Sequence, residues 1–151
     1  MDMNAAYVAG LIDGEGCIHL DATGRTYKAR VSVGMSAPAL PLLQSLQEEW
    51  GGTLYQARKA NDRWAAAYTW HLTSESAEAL IRAVRPYLRL KVKQADLALE
   101  VQEHWRSLPR RANGQAIWSD EARATGLALK ERMHVLNAKG PRAPVTSAGA
   151  A

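Results

Sequence analysis

The chain has 151 residues, 47% of them apolar, a net charge of +4 at pH 7 and one cysteine, Cys17. That length suits one domain with its own core, and no apolar run nears the roughly 18 residues that would span a bilayer. A lone cysteine excludes an internal disulfide, and His19, His71, His104 and His134 lack metal-ligand spacing, so no zinc framework is present.

Residues 4–12 predict a short helix with Val8, Leu11 and Ile12 on its core face and Ala6, Ala9, Gly10 and Asp13 on the complementary stripe. From Cys17 to Asp21 the pattern becomes alternating, and after the turn "DATGRT" the stretch "YKARVSVGM" alternates again. Ala29, Val31, Val33 and Met35 face inward, while Lys28, Arg30 and Ser32 face outward, as in a hairpin with one apolar face. Ser36 and Pro38 open a helix with Leu40, Leu43, Leu46 and Trp50 on its core face, and Gly51–Gly52 stop it. A second hairpin, "TLYQARK" and "WAAAYTWHL", turns at "ANDR". Ser74 to Val84 is a helix with Glu75 and Glu78 early, and "RPYLRL" separates it from a longer helix over Lys91 to Leu108. Ser119 caps a last helix, Asp120 to about Ala138, before a small, Pro-containing tail expected to be disordered. The expected division is a core over 1–110, a loop and helix packed on it over 111–140, and the tail over 141–151.

Two hairpins alternating with helices predict an α+β fold: a four-stranded antiparallel sheet with helices on one face. The other face carries His19, Asp21, Lys28, Arg30, Ser32, Gln56, Arg58, Thr69 and His71, polar and net basic. A solvated outer face is ordinary for such a sheet; a β-ribbon reader of a DNA groove would look the same. Bases also dominate from Arg58 to Arg111, including Arg82, Arg85, Arg89 and Lys93, which fits a polyanionic partner or merely solvated helix faces. Trp50, Trp64 and Trp70 read as core, and Trp105 and Trp118 as docking the C-terminal helices.

The segment "VAGLIDGEG", Val8 to Gly16, mixes apolar residues with glycines that each cost a helix about 1 kcal/mol. It resembles the signature of the LAGLIDADG homing endonucleases. A second segment, "RPYLRLKVKQADL" from Arg85 to Leu97, is similar to the part of that family that precedes and starts its later helix. The helix–hairpin order from Asn4 to Leu108 also follows the family's αββαββα core with its saddle-shaped sheet, and residues 113–151 lie outside the likeness.

The resemblance implies a site-specific endonuclease that cuts double-stranded DNA, one phosphodiester per strand. One motif copy implies a homodimer at a long, roughly palindromic site, with Ala6, Ala9, Gly10 and Asp13 at the helix–helix interface. Glu15 and the Gly14 carbonyl would hold Mg²⁺, or another divalent cation such as Mn²⁺, with Ca²⁺ supporting binding alone. Lys91 and Arg58 would offset charge on the phosphate, and Asp13 reads as structural. Where relatives often place a polar, water-positioning residue after the second strand, this chain has Met35 and then Ser36. Ser36 either fills that role or caps the next helix, the second being preferred. The last helix either braces the sheet or adds phosphate contacts through Arg123, Lys130 and Arg132. An RNA maturase acting on intron RNA and a non-cutting DNA-binding regulator stay open, although the regulator reading predicts loss of Glu15 or Lys91. Asp2 without a basic cluster argues against a secretory signal, so the expected setting is intracellular: the cytoplasm or nucleoid of a prokaryote, or an organelle, without membrane attachment.

Overall fold

Asn4 starts the first helix by accepting the Ala6 N–H on its side-chain oxygen at 2.8 Å, the usual role of an N-cap asparagine. In the computed structural model, which describes residues 3–138, the elements run α1 (Ala5–Glu15), β1 (Gly16–Asp21), β2 (Lys28–Ser36), α2 (Leu40–Trp50), β3 (Thr53–Arg58), β4 (Ala67–Thr73), α3 (Ser74–Val84), α4 (Val92–Ser107) and α5 (Asp120–Asn137). The αββαββα order is present, followed by two further helices. The tail expected over 141–151 lies outside the described residues. No described helix is long and apolar enough to cross a membrane.

The sheet is antiparallel with strand order β1-β2-β4-β3, so the two hairpins join through their second strands. Alternation divides its faces. Ile18, Leu20, Ala29, Val31, Val33, Trp70 and Leu72 are buried beneath the helices with Val8, Ile12, Leu80, Ile81 and Val101. Burying such side chains contributes about 1.5–3 kcal/mol each, and a register slip of one residue would turn them all outward. The Trp70 indole reaches past the sheet and donates to Gly51 O at 2.8 Å. That approach requires Gly52, whose φ is +89° and where a Cβ would lie 2.6 Å from Leu72.

β3 departs from simple alternation. The register pairs Gln56 with Tyr68, on the helix side of the sheet, and Tyr55 with Thr69 on the polar side. Gln56 is therefore not part of the polar face. A bulge between Gln56 and Arg58 adds one residue and returns Arg58 to the polar side, opposite Ala67. Trp64 is likewise not core. It lies in the loop between β3 and β4, 59% exposed, with its ring beneath the Arg58 guanidinium at 5.6 Å. Asn61 shapes that loop by accepting the Arg63 and Trp64 N–H groups on its side-chain oxygen.

Helix α5 braces the sheet. Ser119 caps it through the Ala122 N–H, and Asp120 and Glu121 occupy its positive first turn. At its other end the Asn137 amide donates to Ile18 O at 2.9 Å, so α5 covers the outer edge of β1. Arg132 pairs with Glu100 on α4. Trp118 meets Tyr27 and His104 edge-on at 5.8 and 5.7 Å, docking the segment that leads into α5. Between α3 and α4, the Glu78 carboxylate is buried and shared by Arg82 and Arg106. Burial alone would raise its pKa, but the hydrogen bonds and charges of the two guanidinium groups outweigh that and hold it below the ordinary range.

Gly126 marks where α5 passes closest to the sheet, since a Cβ there would lie 2.8 Å or less from three Tyr27 ring atoms. Gly126→Ala gains about 1 kcal/mol of helix propensity but overpacks a buried ring, a change of about 1–3 kcal/mol. A lower urea midpoint at unchanged slope is the expected outcome; a raised midpoint would show that Tyr27 yields without strain.

Candidate active site and nucleic-acid interface

Glu15 is the last residue of α1 and is exposed. The chain turns from it directly into β1, and the Gly16 N–H closes the helix on Ile12 O. A Cβ at Gly16 would lie 2.7 Å from Ile12 Cα and 2.9 Å from Ile12 O, so only glycine fits this corner. The motif's last glycine thus sets the angle between helix and strand, and with it the place of Glu15 at the sheet's end.

The corner is locked from the other side by α4. The Asp13 carboxylate accepts the backbone N–H groups of Arg89, Leu90 and Lys91 at 2.7, 3.2 and 3.0 Å. In return the Lys91 ammonium donates to Ile12 O at 2.9 Å and Asp13 O at 2.6 Å. Asp13 so satisfies amides of the segment that leads into α4, and the Lys91 ammonium puts a cation on carbonyls at the negative end of α1. Burial would raise the Asp13 pKa, but the three N–H bonds and the Lys91 charge outweigh it and hold the carboxyl below its ordinary range. The Asp13 carboxylate is thus engaged by its own chain in a structural bond, while the residue stays part-exposed. Ala9 is removed from the expected helix–helix interface, because it is fully buried in the core beside Val8 and Ile12. Ala6 and Gly10 are exposed.

Of the carbonyls at the end of α1, those of Ile12 and Asp13 are taken by Gly16 and Lys91, while the helix provides no partner for those of Gly14 and Glu15. A carboxylate and a carbonyl at a negative helix end form an oxygen-only donor set that suits a hard divalent cation. Among the described residues no three His, Cys, Asp or Glu side chains gather as a metal cage. Two oxygen donors are fewer than a divalent cation takes, so these residues alone would supply only part of such a site.

The polar face of the sheet begins at this corner. Cross-strand rows run Cys17–Ser32–His71–Thr53, then His19–Arg30–Thr73, then Asp21–Lys28. A further row, Gly34–Thr69–Tyr55, lies on the other side of the first. Eight of the nine expected residues share this face: His19, Asp21, Lys28, Arg30, Ser32, Thr69, His71 and, beyond the bulge at the outer edge, Arg58; Gln56 does not. Tyr55 joins them unforeseen, its ring edge-on to His71 at 5.8 Å; its position next to inward Leu54 was the available signal. Burial lowers the pKa of His19 and of His71, and the Arg30 charge lowers both further, so each ring is neutral at neutral pH. Arg30 Nε and His71 Nδ1 are shielded and have no hydrogen-bond partner among the described residues.

Arg58 is not brought to Glu15 and Lys91. It sits on β3, three strand spacings from β1, roughly 14 Å. There its guanidinium donates to Ala65 O at 3.2 Å. Met35 lies on the helix side, partly buried against the core. Ser36 falls on the polar side, exposed, and its hydroxyl makes no capping hydrogen bond, contrary to the preferred reading of it as a cap.

Residues 8–103, from within α1 to near the end of α4, match the family model described as LAGLIDADG endonuclease. The chain belongs to the LAGLIDADG endonuclease family. Solved structures agree on the fold. The homing endonuclease I-CvuI in complex with its target superposes with a TM-score of 0.66 at 23% identity, covering 92% of this chain and 85% of that one. The archaeal intron-encoded homing endonuclease I-Vdi141I, complexed with DNA, gives 0.66 at 13% identity, covering 91% and 86%. For I-GzeII in complex with its DNA target the values are 0.68 and 17%, over 91% of this chain but 46% of that one. No curated protein sequence matches the chain.

Asp13→Ala removes three bonds to amides, and loss of a comparable helix cap costs about 1 kcal/mol, at most about 2. Because the folded pKa of Asp13 is depressed, its contribution is present above the unfolded value of about 3.9 and is lost as the pH falls through the folded value. Urea titrations should show parent and variant separated at pH 7 and converging in acid. A gap that is constant down to the lowest pH would assign the effect to packing instead.

Proposed function

We propose that this chain is a metal-dependent, site-specific DNA endonuclease that works as a homodimer, each copy serving one strand. The observation that carries the reading is the exposed Glu15 on a helix end clamped by Asp13 and Lys91, beside a polar, partly basic sheet face. Glu15 and the Gly14 carbonyl would hold the cation. When bound, a divalent cation supplies Lewis-acid stabilisation of the scissile phosphate and acidifies water. Lys91 keeps a fixed positive charge beside that corner and offsets charge developing on phosphate. Ser36, with a free hydroxyl on the polar side of β2, would orient water in place of Met35. One solved relative, I-CvuI, was crystallised on DNA with Ca²⁺ and with Mg²⁺, the latter complex with its DNA not cleaved, which supports a cation from this class.

The sheet face would lie in a DNA groove. Arg30, Lys28, His19, His71, Ser32, Thr69 and Tyr55 offer donors, acceptors and an aromatic edge for base and phosphate contacts. Arg58 and Asp21 mark its margins, with Arg58 as a DNA contact rather than a catalytic group.

Two features support the homodimer. Gly10 and Gly14 sit in the body of α1 with nothing of their own chain within 4 Å of an added Cβ, so this chain's packing does not require them. Together with exposed Ala6 and Tyr7 they leave an open stripe on which a second α1 can approach closely. In addition, the chain spans 85% of I-CvuI but 46% of I-GzeII, the proportion expected where a longer chain contains two such units. A two-fold dimer would favour a roughly palindromic target. No feature favours RNA or a non-cutting regulator over this reading.

Glu15→Gln should bind a duplex recovered from a randomised library as well as the parent does, yet leave it uncut in Mg²⁺. Loss of binding along with cutting would make Glu15 a structural residue. Gly10→Leu should convert the dimer to a folded monomer by light scattering; an unchanged dimer mass would place the interface elsewhere.

A further inference from the structure

Beyond the matched segment, the chain builds a basic cleft that neither the motif nor the sheet face accounts for. After α4, residues 109–117 fold back as a small hairpin: Arg110 bridges Ala116, the Arg111 N–H donates to Gln115 O, and the Ile117 N–H donates to Pro109 O. This hairpin faces the β1–β2 turn across a cleft of about 660 Å³. Lys28, Arg110, Arg111, Arg123, Trp105 and Trp118 line it, and among the described residues no carboxylate does. The Lys28 ammonium and the Arg110 guanidinium both lie over the Trp105 ring, at 5.4 and 4.2 Å, and Arg110 also donates to Trp105 O. The indole holds two like charges against one ring, which offsets part of their repulsion. Asp120 reaches Arg123 at 3.7 Å, but among the described residues no carboxylate pairs with Lys28, Arg110 or Arg111. Asp21 is the cross-strand neighbour of Lys28 but accepts from the Thr23 hydroxyl instead, so the three cations stay unpaired on a pre-formed surface, which suits a polyanion backbone.

The position of the cleft indicates which part of the DNA it meets. Lys28 begins β2 opposite Asp21, the far end of β1 from Gly16 and Glu15. Five strand steps of about 3.3 Å put it roughly 17 Å from the cutting corner, or about five base pairs along a duplex that follows β1. Lys28 also continues the polar row of the sheet, so the cleft and the reading face are contiguous.

We infer that the cleft between the β1–β2 turn and the hairpin over 109–117 grips the phosphate backbone of duplex DNA flanking the recognition site, through Lys28, Arg110 and Arg111. The inference rests on the endonuclease reading and adds an anchor that contributes affinity without base selection. It separates the outer end of each half-site, held by charge, from the inner part, read by the sheet.

The test is the salt dependence of binding to a generic duplex longer than the whole interface, followed by anisotropy across a salt series. For Arg110→Gln with Arg111→Gln, the slope of log K against log[salt] should fall by about 0.9 for each phosphate no longer neutralised, hence about 1.8 when one copy is engaged and about 3.6 when both are. Arg111→Gln alone, whose side chain makes no hydrogen bond within the loop, should give about half that fall. Arg85→Gln with Arg132→Gln removes the same charge from exposed ion pairs elsewhere and should leave the slope unchanged. An unchanged slope in the Arg110/Arg111 variant would overturn the cleft while leaving the endonuclease reading intact. An equal fall in the Arg85/Arg132 control would overturn it too, as an effect of net charge. A parent that binds no duplex, or that binds single-stranded RNA more tightly with the weakening confined to RNA, would overturn the cleft and the endonuclease reading together.

Discussion

The reciprocal clamp between Asp13 and Lys91 is the interaction on which the rest of the molecule depends. The end of α1, with carbonyls to satisfy, meets the segment leading into α4, with amides to satisfy, at one corner. Asp13 satisfies three amides of the segment entering α4, and the Lys91 ammonium satisfies two carbonyls at the end of α1. Residues nearly eighty positions apart are thereby fixed to each other with charge-assisted bonds, which are about twice as strong as neutral ones. Glu15 inherits its position from this arrangement. It is the first side chain beyond the clamp, it makes no structural bond of its own, and it is carried on a corner too tight for any residue but glycine to follow.

That corner also relates the chemistry to the sheet. Because Gly16 turns α1 straight into β1, the carboxylate sits at one end of a row of polar positions that continues through Cys17, Ser32 and His71. The opposite face has no freedom to change, since it buries the residues that hold the domain together. Strand pleating thus assigns stability to one side and recognition to the other. The two outer strands are handled differently. β1 is covered by α5, with Asn137 pairing its outward carbonyl, whereas β3 stays exposed and is bent by a bulge that discourages edge pairing.

Local pattern carried most of the fold. The alternation of "ARVSV", the stop at Gly51–Gly52 and the cap at Ser119 each act within a few residues, and each element formed within a few residues of its expected bounds. The failures have both long-range and local causes. Ala9 looked like part of a small-residue stripe, but α1 is wedged between the sheet and α3, and its buried arc is wider than a single stripe. Gln56 and Trp64 were misplaced because a bulge resets the alternation and an Asx turn keeps Trp64 out of the strand. Glu15, Gly14 and Lys91 were legible only through the motif they belong to; spacing alone does not bring positions 15 and 91 together. The stacking of Lys28 and Arg110 on Trp105 had no local signal at all.

The most direct measurement is a selection by cleavage. The purified chain is incubated with a randomised duplex library in Mg²⁺ and, in parallel, in Ca²⁺, and newly formed ends are sequenced. Cuts on both strands in Mg²⁺ alone, centred on one long consensus with approximate two-fold symmetry, are the expected result. Sequence-specific enrichment without cuts in either ion, or cuts that share no symmetric consensus, would contradict a two-copy endonuclease built on Glu15.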